Sequence, residues 1–277
     1  MNVAVFTVIK DERDYLDDFL RYHTEMGLHI FVFEDLFSVS HRDICDKYKD
    51  VELHSVRELY EEEEMDELVR KRTEKVPCQT EFINRGLKYI HSLGTYQWTA
   101  LIDIDEYITC TEEFPDILER YKSHDSVLIY WKNYGYSGHI YKPDVKKPPY
   151  EIYTEPCGYE LYSDYKYYKI TKFIVNMDKW KPTQKYFIHC ANVDFVKADG
   201  TYKRTNIVYE PLYLRHYITK SLEEYLWKVY VRGMHHNGHR QLRSLYEMCP
   251  DTKGLIDDAF RSYFMNKYGV EIPEEVT

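Results

Sequence analysis

The amino-terminal segment carries a strand–helix–strand pattern that constrains the fold more than any other feature of the chain. Residues 3–9 are apolar and rich in β-branched side chains, which is typical of a strand buried on both faces. Apolar side chains then recur at helical spacing from Tyr15 to Met26, and Gly27 supplies a helix stop. A second apolar strand covers residues 29–35. Because crossovers between such strands are right-handed, the two strands are predicted to be parallel, with their carboxyl ends at one edge of a sheet.

The same alternation continues along the chain and predicts the fold class. Further helices are expected over 40–49, 79–93, 116–122, 221–234 and 254–268, and further strands over 51–56, 98–106, 126–131, 170–176 and 185–191. Residues 133–169 are rich in Tyr and Pro and are interpreted as long active-site loops. The pattern predicts an α/β fold, with a Rossmann-like, mostly parallel sheet flanked by helices. The domain prediction is a catalytic domain over 1–219 and a C-terminal helical extension over 220–277 packed on it.

The charge of the chain argues against nucleic acid as a partner. Asp and Glu exceed Lys and Arg by 47 to 37, so the net charge is −10, whereas proteins that bind duplexes neutralise phosphates with basic residues. The acidic run Glu58–Glu67 is interpreted as a solvated helix face. Residues 203–243 are basic, and this stretch could meet an anionic ligand or an anionic membrane surface.

Cysteine usage and hydropathy predict a cytoplasmic protein. The six cysteines are scattered without a Cys-x-x-Cys pair, so we expect reduced thiols rather than a zinc module or a disulfide framework. The apolar run at residues 3–9 is far shorter than the roughly 20 residues that span a bilayer. It also lacks the basic flank and cleavage site of a secretory signal.

An acidic motif, Asp103-Ile104-Asp105-Glu106, follows an apolar strand and is the clearest candidate for chemistry. If the strand continues through it, side-chain alternation places Asp103 and Asp105 on the same face. Two carboxylates at the carboxyl end of a strand suit a hard divalent cation such as Mn²⁺ or Mg²⁺. The alternative, a solvated strand end, stays open on the motif alone, because short motifs of this kind also arise by chance.

A series of landmarks carries a resemblance to a known family. They occur in this order: Lys10-Asp11-Glu12, Tyr15-Leu16, Tyr22-His23 and Gly27, Glu34-Asp35 with Ser38, Asp103 to Tyr107, Trp131, Tyr134 to His139, Lys172 to Val175, His216-Tyr217, Lys220-Ser221, Glu224, Lys228 and Arg232-Gly233. In these residues the chain resembles glycosyltransferase family 92 and related family 2-like bacterial glycosyltransferases, which have a GT-A fold. Asp11 stands where that family usually has Asn.

The resemblance implies transfer of a sugar from a nucleotide sugar, with UDP as the expected nucleotide and Mn²⁺ or Mg²⁺ as the cofactor. The nucleotide contacts that it implies are Thr7, Val8, Lys10, Glu12, Glu34 or Asp35, and Asp103. The metal ligands that it implies are Asp105, with Asp103 on the ribose or the metal, and His216. Lys228 and Arg232 lie one helical turn apart and, with Lys220, could meet phosphate oxygens; a solvated basic face is the alternative.

The same resemblance implies an inverting reaction, which needs a base to take the acceptor proton. Candidates are Glu160, Asp164 and His139, with Glu160 favoured because it lies in the Tyr-rich insert. The expected acceptor is a glycan or lipid-linked glycan of a surface or capsular polysaccharide, with galactose favoured as the sugar. Peripheral membrane contact through the basic C-terminal region is a further expectation. The Tyr residues between 130 and 168 are interpreted as a sugar-binding face, since Tyr offers both a flat apolar ring and a hydroxyl.

Two other classes of function remain open on the sequence. A nucleotidyl or phosphoryl transferase would use the same two-carboxylate metal site, although the usual glycine-rich phosphate loop does not follow the first strand. A non-catalytic carbohydrate-binding protein would use exposed Tyr and Trp side chains as sugar platforms.

Overall fold

The fold is described from a computed structural model, which covers residues 1–144, 147–157, 171–202, 207–232, 238–252 and 254–273, with the backbone alone at 238–241 and 243. Its strands are β1 (Val3–Ile9), β2 (His29–Glu34), β3 (Val51–Ser55), β4 (Trp98–Leu101), β5 (Glu106–Cys110), β6 (Ser126–Asn133), β7 (Thr171–Asn176), β8 (Phe195–Lys197) and β9 (Leu212–His216). Its α-helices are α1 (Arg13–Glu25), α2 (Arg42–Cys45), α3 (Met65–Thr73), α4 (Gln79–Leu93), α5 (Phe114–Arg120), α6 (Pro149–Ile152), α7 (Leu222–Leu226), α8 (Gly238–Met248) and α9 (Asp258–Tyr268). Short 3₁₀ turns cover Val56–Leu59, Glu62–Glu64 and Pro250–Thr252, and a π-helical turn covers Trp227–Val231.

The strands form one large sheet in the order β3-β2-β1-β4-β7-β6-β9-β5, with β8 paired to β6. β1 is parallel to both β2 and β4, and β2 is parallel to β3, while β7 runs antiparallel to β4 and β6. The register of β1 on β2 pairs Ala4 with His29 and Ile9 with Glu34, so both strands end at the same edge. The predicted α/β class with a mostly parallel sheet flanked by helices is therefore confirmed.

The core packs helices against the central parallel strands. α1 buries one stripe made of Tyr15, Leu16, Phe19, Leu20 and His23, as its helical spacing predicts. α4 buries Phe82, Ile83, Leu87 and Ile90 in a cluster with Ala4 and Phe6 of β1 and Phe31 and Phe33 of β2. α4 approaches β1 closely at Gly86, where an added Cβ would lie 2.0 Å from Cε2 of Phe6. Gly27 and Gly94 follow the ends of α1 and α4 with positive φ angles of 78° and 64°, so both predicted helix stops are confirmed.

A buried histidine forms part of this core. The ring of His23 is fully buried, its Nδ1 lies 2.9 Å from the Phe19 carbonyl, and its Nε2 accepts a hydrogen bond from the Ile108 amide at 3.3 Å. These two contacts define a neutral tautomer with the proton on Nδ1. Burial lowers the pKa of His23 to about 4, because the charged ring would lose its hydration.

Contacts within the chain divide it into two units. Unit 1 comprises the described residues of Met1–Trp131 and Lys166–Arg215, and unit 2 those of Lys132–Tyr165 and His216–Thr277. This division assigns a stretch of the middle of the chain, from residue 132 onwards, to the same unit as the C-terminal helices. The predicted boundary at residue 219/220 stays a prediction.

Unit 2 contains a buried acid that accepts hydrogen bonds from its C-terminal helix, α9. Glu223 in α7 accepts hydrogen bonds from the Lys142 amide, from the hydroxyls of Tyr263 and Tyr268, and from Lys267 at 2.7 Å. Although burial favours the protonated acid, the hydrogen bonds from Lys267 and Tyr268 hold the pKa of Glu223 below its usual range.

Several predicted elements are wrong in extent. The strand expected over 98–106 is two strands, β4 and β5, separated by residues 102–105. The strand expected over 185–191 is only an isolated bridge between Tyr186 and Ala191, and the helix over 40–49 is the four-residue α2. The helix over 221–234 changes to a π turn after Leu226. Among the described helices, none has the length and apolar character needed to span a bilayer.

Candidate functional site

The acidic motif forms a tight turn between β4 and β5. The Asp103 amide donates to Oε2 of Glu106 at 2.9 Å, and the Glu106 amide donates to the Asp103 carbonyl at 3.0 Å. Asp105 and Glu106 are buried, at 6% and 0% exposure, whereas the Asp103 side chain is about one-third exposed, at 36%. The expectation that strand alternation puts Asp103 and Asp105 on one face is therefore wrong, because these residues lie in a turn rather than in a strand.

A buried lysine neutralises part of the charge of residues 103–106, the acidic turn. Nζ of Lys172 in β7 lies 2.7 Å from Oδ2 of Asp103 and 3.5 Å from Oε1 of Glu106. It also lies 5.9 Å from the ring centroid of Trp131. Gln79 at the start of α4 donates from Nε2 to the other Asp103 oxygen at 3.0 Å. Asp103 is thus held by two side chains from different elements.

The electrostatics of the acidic turn favour an added positive charge. Burial raises the pKa of Glu106 well above its usual value, against the opposing influence of Lys172. Burial also disfavours the Lys172 ammonium, but Asp103 and Glu106 outweigh it and raise the pKa of Lys172. Three carboxyl groups, those of Asp103, Asp105 and Glu106, thus face the one ammonium of Lys172.

A pocket in unit 1 opens beside the acidic turn, at the carboxyl ends of β1 and β4. Its empty volume is about 350 Å³ when the open mouth is included. Its polar lining is contributed by Thr7, Gln79, Asp103 and Lys172, and its apolar lining includes Val8, Phe173 and Ile188. The Thr7 hydroxyl is buried and makes no hydrogen bond to the described residues. A buried hydroxyl without a partner is costly, so a ligand that supplies one would be stabilised here.

His189 lies next to this pocket. Its ring packs edge-on against Trp131 with 4.9 Å between centroids, and Nδ1 lies 3.3 Å from the Thr171 carbonyl. Burial and the neighbouring Lys172 lower the pKa of His189 to about 4, so the imidazole is neutral at physiological pH.

The loop after β1 is fixed by its own hydrogen bonds. Asp11 has a positive φ of 55°, its amide donates to Oγ of Ser38 at 3.0 Å, and its Oδ1 accepts from the Val39 amide at 3.0 Å. Asn and Asp adopt this left-handed conformation more readily than other residues with side chains. Asp11 can therefore hold the same backbone conformation that Asn would adopt at this position. The predicted contacts Lys10 and Glu12 flank Asp11 and are partly exposed, outside the pocket lining.

The two acids at the end of β2 are engaged inside unit 1. Glu34 pairs through Oε1 with Nδ1 of His41 at 2.9 Å and also accepts the His41 amide. Asp35 is buried and forms a two-pronged ion pair with Arg72 of α3, with one N–O distance of 3.0 Å. Their predicted role as nucleobase contacts stays a prediction.

Unit 2 holds the remaining predicted site residues that the structure describes. His216 ends β9, is buried, and has Nδ1 2.8 Å from Oδ1 of Asn133. The His139 ring packs edge-on against Tyr153 at 5.8 Å. Lys220 has a positive φ of 51° just before the Ser221 cap of α7, and Lys228 lies in the π turn, so the α-helical spacing assumed for Lys228 and Arg232 does not apply. Glu160 and Asp164 lie outside the described residues.

The Tyr-rich segment supplies core as well as surface. Tyr130, Tyr136 and Tyr153 are buried, so the prediction of a sugar-binding face is wrong for these three rings, while Tyr141 is half exposed. The remaining tyrosines from 158 to 168 lie outside the described residues.

Two residues of the site were not predicted from the sequence, namely Lys172 and Gln79. Lys172 is a charged residue within a strand whose other residues are all buried, and this is the signal that could have found it. A lysine in such a position requires a carboxylate partner. Gln79 gave no comparable signal.

Comparisons with known proteins leave the family open. No family model and no curated protein matches the chain. Among solved structures, it is similar to HddC from Yersinia pseudotuberculosis, with a TM-score of 0.37 and 12% identity over 71% of this chain and 89% of that one. It is also similar to A197 from STIV (TM-score 0.35, 11% identity, 79% and 86% covered) and to the bifunctional IspDF from Campylobacter jejuni (0.34, 11%, 75% and 52%). These similarities are too weak to assign a family or an activity.

Proposed function

We propose that the protein is a metal-dependent glycosyltransferase that transfers a hexose from a UDP-sugar to a glycan hydroxyl. The observation that carries the proposal is the pocket of unit 1, at the carboxyl edge of a mostly parallel sheet. It joins a buried hydroxyl without a partner among the described residues, a buried ammonium and the acidic turn. Ligands of open α/β sheets bind at this edge. Membership of glycosyltransferase family 92, galactose as the sugar, the inverting outcome and a cytoplasmic location belong to the proposal.

The acidic turn fits a hard divalent cation. Carboxylate oxygens of Asp105 and Glu106 lie within 4.8 Å of each other. Oε1 of Glu106 is buried and accepts no hydrogen bond from the described residues. Carboxyl groups that outnumber the ammonium, and that offer oxygen donors, match Mn²⁺ or Mg²⁺. When bound, such an ion would neutralise the negative charge that develops on the leaving diphosphate.

His216 is proposed as a further ligand of this ion. A hydrogen bond from Nδ1–H to Asn133 leaves the proton off Nε2, and imidazole binds metals in this neutral form. The assignment rests on the tautomer and on the family resemblance.

The nucleoside part of the donor is assigned to the pocket of unit 1, on the chemistry of its lining. Thr7 would donate or accept a hydrogen bond, the apolar lining would cover the base, and Lys172 would attract the diphosphate. Lys220 and Lys228 are proposed as further phosphate contacts, and Glu160 or His139 as the base.

The test is turnover of UDP-sugars with and without Mn²⁺. Wild type is expected to hydrolyse or transfer from at least one UDP-hexose, EDTA should abolish this, and Asp105→Ala should lower the rate by about 10²–10³-fold, as for loss of a group that stabilises developing charge. Asp116→Ala on the exposed face of α5 is the matched control and should leave the rate unchanged.

Three outcomes would overturn the proposal. If wild type neither binds nor hydrolyses any UDP-sugar in Mn²⁺, and Asp105→Ala changes nothing, the glycosyltransferase assignment fails. Release of pyrophosphate from a nucleoside triphosphate and a sugar phosphate would identify a nucleotidyltransferase. Glycan binding that neither EDTA nor UDP alters would identify a carbohydrate-binding protein.

A further inference from the structure

Two cysteines from distant parts of the chain meet inside unit 2. Sγ of Cys157 and Sγ of Cys249 are 3.8 Å apart, although 92 positions separate them in sequence. Each residue is 3% exposed. Both are free thiols, as are the other four cysteines. In the described part of the chain, no other two cysteines are in sulfur–sulfur contact.

Backbone hydrogen bonds fix the positions of both residues. The Cys157 amide donates to the Asn133 carbonyl at 3.0 Å, next to a β-bridge between Tyr134 and Pro156. Cys249 follows the last turn of α8, where its amide donates to Leu245 and its carbonyl accepts from Thr252. The two thiols are therefore presented by separate, anchored segments.

A third segment packs against both sulfurs. An added Cβ at Gly135 would lie 3.4 Å from the Cys249 sulfur and 3.6 Å from the Cys157 sulfur. The segment that starts at Asn133 contacts both cysteine segments, because the Asn133 carbonyl accepts the Cys157 amide and the Tyr136 hydroxyl donates to Asp251 at 2.6 Å. A disulfide bond requires the two sulfurs to approach from 3.8 Å to about 2.05 Å.

We propose that Cys157 and Cys249 form a reversible disulfide bond when the protein meets a peroxide. One thiolate attacks the peroxide oxygen, the O–O bond breaks, and the cysteine becomes a sulfenic acid while hydroxide leaves and takes up a proton. The second thiol then attacks that sulfur, the S–O bond breaks and water leaves. Two thiols lose two electrons and two protons in total, and the peroxide is reduced to two waters.

Burial and pairing govern the rate of this reaction. The hydrogen bond with Cys249, together with burial, raises the pKa of the Cys157 thiol well above its usual value, so little thiolate is present at neutral pH. The exposed Cys190 should therefore react with peroxide first, and it should stop at oxygen adducts because no sulfur of the described residues lies in contact with it. The disulfide product, rather than the rate of oxidation, therefore distinguishes Cys157 and Cys249 from Cys190.

The bond would act on the neighbourhood of Asn133. This residue accepts the Cys157 amide through its backbone and contacts Nδ1 of His216 through its side chain. A sulfur that moves toward Cys249 pulls on the same residue that orients His216. This consequence for catalysis, unlike the bond itself, rests on the proposed function.

Peptide mapping of the full-length wild-type protein tests the bond without any activity assay. The protein is titrated with hydrogen peroxide, unfolded, alkylated to block remaining thiols, digested and analysed by mass spectrometry. We expect a peptide that links Cys157 to Cys249, lighter by two hydrogens than its two reduced parts and separated again by dithiothreitol. Cys249→Ser should abolish the linked peptide, and Cys190→Ser should leave its yield unchanged.

The proposal is overturned if Cys157 and Cys249 are both still alkylated at peroxide levels that fully oxidise Cys190. It is also overturned if links between other cysteines dominate the map. If Cys249→Ser does not fold, the wild-type map and its reversal by dithiothreitol decide the matter alone. Loss of sugar transfer without a linked peptide would contradict the disulfide and leave the proposed function standing.

Discussion

Lys172→Met replaces the buried ammonium of the acidic turn with an apolar side chain of similar length. The ammonium lies 2.7 Å from Asp103 and 3.5 Å from Glu106, and Glu106 has no exposed surface through which water could replace it. The substitution therefore leaves a buried acid without its compensating charge. We expect the variant to fold but to be markedly less stable than wild type.

The magnitude follows from the distances. At 2.7 Å and an effective dielectric constant of about 20, the attraction between Lys172 and Asp103 is about 6 kcal/mol, and the cost of taking the ammonium out of water offsets part of it. Breaking a buried pair by removing one partner typically costs about 3–5 kcal/mol. At roughly 2–4 °C per kcal/mol for a protein of this size, the melting temperature should fall by about 6–20 °C.

The assay is thermal unfolding of wild type and variant, with and without Mn²⁺. If the acidic turn binds a divalent cation, the ion replaces the missing positive charge, and the variant should gain more stability from Mn²⁺ than wild type does. Saturation at about one hundred times the dissociation constant adds about 2.7 kcal/mol. Lys197→Met is the matched control, because Lys197 is equally buried but pairs with Asp199 at 3.8 Å, away from the acidic turn.

Equal melting temperatures for wild type and Lys172→Met would refute the electrostatic reasoning. Equal gains from Mn²⁺ in wild type, Lys172→Met and Lys197→Met would refute the metal site while leaving the ion pair in place.

Three further substitutions test the packing and the protonation states. Gly86→Ala should cost about 1–3 kcal/mol by denaturant unfolding, because its Cβ would meet Phe6 at 2.0 Å, which outweighs the helix preference of Ala. The pKa of His23 is about 4 in the fold and 6.5 in the unfolded chain, so the contribution of the neutral ring to the free energy of unfolding is fully present above pH 6.5 and is lost as the pH drops toward 4. The free energy of unfolding should fall by about 2 kcal/mol between pH 7 and 5. His23→Gln should flatten this pH profile. Glu223→Gln should cost about 2–3 kcal/mol at pH 7, because the charged hydrogen bond with Lys267 is lost, and this cost should shrink as the pH falls through the lowered pKa of Glu223.

Each of these expectations has its own contrary result. Lys88→Ala on the exposed face of α4 is the control for Gly86→Ala, and equal stability of the two variants would show that the helix can move away from β1. A wild-type stability that does not change between pH 7 and 5 would mean that His23 is not buried as a neutral ring. A cost for Glu223→Gln that is the same at pH 7 and pH 3 would exclude the charged form as its source.

The central part of the fold was predictable because its signals are local. β1, α1, β2 and α4 show uninterrupted apolar runs or one apolar stripe, and Gly27 and Gly94 end the two helices where the sequence indicates. β8 has only three residues, and three residues are too few for a period to be recognised. Local signals also did not indicate that β7 is inserted antiparallel between β4 and β6.

The acidic turn was predictable as a motif but not as a geometry. Hydrogen bonds between Asp103 and Glu106 end the strand at Leu101, and such bonds depend on side-chain positions that alternation does not describe. Lys172 reaches the turn because Leu101 pairs with Phe173 across the sheet, 72 positions away in sequence. A register between distant strands is set by the whole sheet, so the neutralising ammonium could not be assigned from the sequence.

The division of the chain into two interleaved units has a consequence for how the protein is made. The chain leaves unit 1 after Trp131, returns to it for the described residues of Lys166–Arg215, and leaves it again at His216. On the ribosome, β1 to β6 emerge before a stretch that belongs to the other unit, and β7, which lies between β4 and β6, emerges only afterwards. The strand order β4-β7-β6 therefore cannot be completed until β7 has emerged. A stop codon after residue 219 would release a chain in which the middle segment of unit 2 has lost the helices that complete it.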